Sequence, residues 1–119
     1  DSYQDARLEG EKLAKQYAEL EKADQVDFYN GLEGYYSVLG HNKKQEAIAV
    51  LIEKNDHKIY VYQLDKGISQ DKAATISREK GASDIDKITF GRYQDKPIWE
   101  VKSGNQYYLV DFETGAVIQ

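Results

Sequence analysis

"PIWEVKSGNQYYLVDFETG", residues 97–115, is the stretch whose reading decides the fold. It holds the only proline and the only tryptophan of the chain, a tyrosine pair, and acids spaced along what reads as a β-hairpin. Strand side chains alternate between faces. Trp99 and Val101 therefore share one face with Tyr108, Val110 and Phe112. Ile98, Glu100 and Lys102 share the other with Tyr107, Leu109 and Asp111. The first set predicts a core face beneath a helix, and the second a mixed, solvated or partly covered face.

The same pattern occurs earlier in the chain. Val26 and Phe28 match Ile88 and Phe90 at an offset of 62 residues. Past the first turn Tyr36 and Val38 match Trp99 and Val101, while Ile48, Val50 and Ile52 match Tyr108, Val110 and Phe112. Each copy is preceded by a helical pattern. In residues 2–23, Tyr3, Ala6, Gly10, Leu13, Tyr17 and Leu20 recur at spacings of three and four, a single apolar stripe. Gly10 within it weakens the helix unless close packing offsets its cost. Residues 67–81 give a second helix, with Ser69 as N-cap, Asp71 at the positive end of the dipole and Gly81 at the left-handed C′ position.

Strand-forming runs occupy 26–30, 35–40, 46–54 and 58–64, with turns at Asn30-Gly31, Gly40-His41-Asn42 and Asn55-Asp56. They return at 87–93, 97–103, 106–113 and 116–119. The prediction is an α+β chain of two tandem helix-plus-antiparallel-sheet units, residues 1–65 and 66–119, joined near Leu64–Gly67 and packed together. In the first unit the second sheet face carries Tyr35, Ser37, Leu39, Ala47, Ala49 and Leu51, with little charge. Such a surface needs cover. Either the two units pack there or a partner protein docks there.

At 119 residues, with 40% hydrophobic and 31% charged residues, the chain suits a globular protein able to bury a core. A net charge of −5 and a pI near 5.0, without a basic stripe, oppose contact with nucleic acid. Absence of cysteine removes disulfides, thiol nucleophiles and thiolate metal sites. No apolar run approaches the roughly 18 residues of a membrane span. A chain that starts at Asp1 and contains no methionine reads as a processed or trimmed product.

The residues offer little for catalysis. His41 and His57, the only histidines, fall in predicted turns without a metal-ligand spacing. No nucleophile elbow, zinc-binding helix or phosphate-cradling loop is present. Glu100 and Asp111 could be neighbours on adjacent strands, and paired acids can hydrolyse glycosides. A catalytic acid needs a pocket to raise its pKa, however, and Lys102 beside them suggests open solvent. "DFETG" (111–115) lacks calcium-loop spacing and reads as a strand ending in a turn at Gly115. No cofactor is expected.

The helix opening "GIS" at Gly67–Ser69, followed by "ITFGRY", "PIWEVKSGNQYYLVDFETG" and "AVI", resembles the PepSY-type domain. The whole chain resembles the tandem TseB-like (YpmB) family of Gram-positive bacteria, in which "GIS" and the Trp99–Val101 strand are typical. That resemblance implies two PepSY-like or cystatin-like units. It implies a single N-terminal transmembrane anchor outside this chain, with the tandem domain on the extracytoplasmic side of the cell membrane. It also implies a non-enzymatic regulator of cell-wall elongation whose partner is a penicillin-binding protein, a membrane-anchored transpeptidase. Exposed tyrosines would anchor such a partner with little entropy loss, and Tyr35, Tyr62, Tyr93 and Tyr107 are the candidates. PepSY domains elsewhere are associated with peptidase inhibition, which makes a peptidase inhibitor the alternative. The chain has no cystatin-style Q-x-V-x-G loop.

Overall fold

The structure, a computed structural model describing residues 1–118, divides into two compact units, Asp1–Leu64 and Asp65–Gln119. The class is α+β, as the strand and helix patterns predict: two helices and two antiparallel sheets, of four and three strands.

In the first unit, helix α1 runs Ser2–Tyr17. The Asp1 carboxylate caps it by accepting from the Gln4 N–H at 3.0 Å, and Glu11 pairs with Lys15 one turn on at 2.9 Å. Its buried residues are small, Gly10 and Ala14, so the helix lies close to the sheet. A Cβ on Gly10 would come within 3.2 Å of the Tyr36 ring, the close packing that this glycine in the stripe anticipates. The helix does not reach residue 23 as its pattern predicts. Glu19 takes a left-handed φ of 58°, and Leu20 turns into the core. The good helix formers of residues 18–23 are overridden by that burial and by strand pairing.

The sheet of this unit is a meander of β1 (Leu20–Asn30), β2 (Gly34–Asn42), β3 (Ala47–Glu53) and β4 (Ile59–Gln63). β2 continues beyond the turn predicted at Gly40, because residues 20–23 supply it with a partner strand. The pairing there is irregular, with register shifts between Leu20 and Lys22 and between Ala23 and Gln25. Gly40 sits at this crossing, where any Cβ would overlap the Lys22 carbonyl oxygen. Val26, Val38, Ile48, Val50 and Ile52 pack beneath Ala14 and Ala18. The opposite face is buried as well, at Tyr29, Tyr35, Ser37, Leu39, Ala49 and Leu51.

In the second unit, α2 (Gln70–Glu79) is capped by Ser69, whose Oγ accepts from the Lys72 N–H at 3.0 Å. Gly81 takes φ +115° as the chain leaves the helix, and Ala82 donates back to the Ser77 carbonyl at 3.0 Å. β5 (Lys87–Tyr93), β6 (Lys96–Ser103) and β7 (Gln106–Asp111) form the sheet. Phe90, Trp99, Val101, Val110 and Phe112 are buried with Ala73 and Ala74 of α2. Phe90 meets Trp99 edge-on at 4.9 Å and Phe112 at 5.2 Å.

The repeat shows in the pairing: Phe28 faces Tyr36 as Phe90 faces Trp99, and Val26 faces Val38 as Ile88 faces Val101. The third strand departs from the sequence match. Tyr36 faces Ile52, but Trp99 faces Val110 rather than Phe112. The tighter hairpin at Ser103–Gln106 slides this strand by two residues, which preserves the face because the period is two.

The outward face of residues 97–111 is less open than expected. Tyr107 is exposed, but Ile98, Leu109 and Asp111 are buried. Beyond Gly115 the chain returns along β7, with Asp111 N–H donating to Ala116 O and Ile118 N–H to Leu109 O, each at 2.7 Å. The predicted strand at 116–119 is thus a single bridge between Val110 and Val117, and Gln119 lies outside the described residues.

Candidate interaction surface

The four candidate tyrosines fall in different environments. Tyr35 is buried, at 3% exposure, with its ring near Tyr29 and Tyr60 and its hydroxyl donating to Glu33 at 3.2 Å. It does not present its ring to solvent. Tyr62 on β4 and Tyr93 at the end of β5 are half-buried. Tyr93 lines a depression of about 320 Å³ with Gln94, Lys96, Asp111, Thr114 and Ile118. Tyr107 on β7 is 54% exposed, opposite Lys102.

Sequence reasoning missed the other exposed apolar side chains. Leu8 lies off the helical stripe and borders a shallow groove of about 430 Å³ with Glu11, Lys12, Lys15 and Gln16. Leu32 projects from the first hairpin turn, and Val61 stands exposed on β4. A strand position of alternating type should have been half-buried, so only the edge position of β4 reveals Val61. A smaller depression of about 210 Å³ between α1 and the sheet is lined by Leu13, Tyr17, Ile52, His57 and Ile59.

Glu100 and Asp111 share a face but lie diagonally across β6 and β7 rather than directly opposite. Asp111 faces Ile98, and Glu100 faces Leu109. The Asp111 carboxylate accepts from the Glu113 and Thr114 N–H groups at 2.8 and 2.9 Å, which shapes the "DFETG" turn. Burial raises the Glu100 carboxyl above its ordinary range, and Lys87 partly offsets this. Glu53 at the end of β3 is also raised, first by burial and then by Asp56 and Glu33, against Lys58. His41 lies in β2 rather than in a turn, and its Nδ1 meets Asp24 at 2.8 Å on the surface. His57 sits in the turn before β4 with φ 58°. Among the described residues, no group of three or more His, Asp or Glu side chains could hold a metal ion.

Comparison with known proteins bears on this surface. Residues 9–53 match the family model described as "Cell wall elongation regulator TseB-like domain". A Bacillus subtilis (strain 168) protein named "Probable cell wall elongation regulator TseB" is 37% identical over 114 residues, covering 89% of this chain and 70% of that protein. The chain belongs to the TseB-like family. The solved structure of the YpmB protein from Bacillus subtilis superposes with a TM-score of 0.79 at 33% identity, covering 93% of this chain and 92% of that one.

The motifs "GIS", "WEV" and "DFETG" have structural roles. A Cβ on Gly67 would overlap the Phe112 carbonyl oxygen, and that same oxygen accepts from the Ile68 N–H at 2.8 Å. The Ile68 carbonyl in turn accepts from Trp99 Nε1 at 3.0 Å. "GIS", "WEV" and "DFETG" thus meet at one junction that fixes α2 on its sheet. This leaves the exposed side chains around them for contact with other molecules.

Proposed function

We propose that this chain is a non-enzymatic, extracytoplasmic interaction module that regulates cell-wall elongation by binding a penicillin-binding transpeptidase. The observation that carries the reading is the match to a cell wall elongation regulator over 89% of the chain. The side-chain chemistry agrees with it, since the Asp111 carboxylate is committed to shaping a turn. An anchor N-terminal to the helical first unit would hold the chain at the outer surface of the cell membrane.

Of the tyrosines, Tyr107 is the strongest anchor for a partner, because its ring is exposed on a rigid strand. Tyr62 and Tyr93 would supply flanking contact, and Tyr35 would support the sheet from within. The test is capture from membranes by the anchored protein, with a fluorescent penicillin labelling every penicillin-binding protein. Recovery of a labelled transpeptidase is expected. Recovery of peptidases alone, with their activity reduced, would replace this reading by peptidase inhibition.

A further inference from the structure

Sheet edges attract further strands unless something blocks them. Three of the four edges in this molecule carry a blocking feature. β1 is broken by two register shifts, and Arg7 Nε donates to the outward Val26 carbonyl at 3.0 Å. β7 is lined by the returning segment 116–118. β5 opens on Lys87 and carries Arg92. β4 has none of these features: its sequence is Ile-Tyr-Val-Tyr-Gln, without charge, proline, glycine or register shift.

The backbone direction of β4 follows from one hydrogen bond. Glu53 N–H donates to Lys58 O at 2.8 Å, so Lys58 turns its polar groups towards β3. Alternation then aims the N–H and C=O of Ile59, Val61 and Gln63 outward. Among the described residues, none hydrogen-bonds to these outward groups. Val61 is 48% exposed and Gln63 is exposed too.

We propose that this edge pairs with the same edge of a second copy, antiparallel about a two-fold axis at Val61. Register and chemistry agree on that centre. Pairing at Val61 sets Val61 against Val61 and Ile59 against Gln63, the positions whose backbone groups point outward. Each such pair exchanges two N–H···O=C bonds. Tyr60 falls opposite Tyr62, an aromatic cross-strand pair. The strand Ile59–Gln63 is self-complementary about Val61, as an isologous interface requires. A single strand pair makes a small interface, and the association is therefore weak and reversible. This proposal is independent of the transpeptidase reading.

The 119-residue chain has no cysteine, so Val61→Cys supplies a sole thiol on the proposed axis. Residues in a hydrogen-bonded antiparallel pair have Cα atoms about 5.5 Å apart, within disulfide reach. Mild oxidation at high protein concentration should give a covalent dimer from Val61→Cys and none from Gln45→Cys, placed in the β2–β3 turn. Sedimentation equilibrium should show wild-type chain between monomer and dimer. Val61→Lys should shift it to monomer with its circular dichroism unchanged. A wild-type chain that stays monomeric at millimolar concentration would overturn the proposal. So would a dimer that Val61→Cys does not trap.

Discussion

Trp99→Phe tests whether the junction of "GIS", "WEV" and "DFETG" holds the second unit together. Trp99 is 2% exposed, and its Nε1 donates to the Ile68 carbonyl just before the Ser69 cap of α2. Phenylalanine keeps the edge contact to Phe90 but removes the pyrrole half of the indole and its N–H. The lost apolar burial is worth about 1 kcal/mol. The lost hydrogen bond, with a half-buried carbonyl left to find water, costs about 1–2 kcal/mol more. The total is roughly 2–3 kcal/mol, a large share of the stability of a small domain. With a urea m-value of about 1–3 kcal/mol/M, the midpoint should fall by roughly 0.7–3 M. Far-UV circular dichroism is the assay, because the variant has no tryptophan to report. A loss below about 0.5 kcal/mol would refute the argument that this hydrogen bond fixes α2 on its sheet.

Three further outcomes follow from particular side chains. Ser77 Oγ is buried in α2 without a hydrogen-bond partner among the described residues, so Ser77→Ala should raise stability by about 1 kcal/mol in a urea melt. Glu53 titrates above the ordinary carboxyl value of 4.5 in the folded chain, so the folded state holds its proton longer than the unfolded one. The stability tied to that proton is complete below the unfolded value and is lost as pH rises through the folded one. Glu53→Gln should therefore unfold at a higher temperature than wild type at pH 7, with the gap closing towards pH 3; a variant less stable at pH 7 would reverse the assigned sign. Tyr107→Ala, at an exposed position, should leave stability within about 0.5 kcal/mol while weakening capture of the transpeptidase, read in the penicillin-label assay.

Much of the fold is legible in the sequence where local chemistry and long-range packing agree. The Ser69 cap and the Gly81 exit bound α2 because capping and left-handed φ are local requirements. The repeat is legible because Trp99 and Tyr36 occupy the same face of matched strands. Local preference misleads at residues 18–23, where helix formers serve a strand that exists only through its pairing with residues 40–42. The slide of β7 is hidden because a two-residue shift changes no face. The burial of Leu109 and Asp111 is hidden because the chain lies back along β7 through backbone bonds, which carry no side-chain signature. Trp99 and Val101, which help carry the family resemblance, prove to be among the parts least available for contact, whereas the exposed Val61 lies outside the quoted motifs.

The central claim is regulation of elongation through a membrane transpeptidase. It is tested most directly in Bacillus subtilis lacking its own TseB, with this chain expressed behind that protein's N-terminal segment and the rate of cell elongation measured. The account predicts that the chain returns the rate to the wild-type value and that Tyr107→Ala, at equal protein level, does so less well. An elongation rate unchanged by the chain, with the protein folded and present at the membrane, would contradict it.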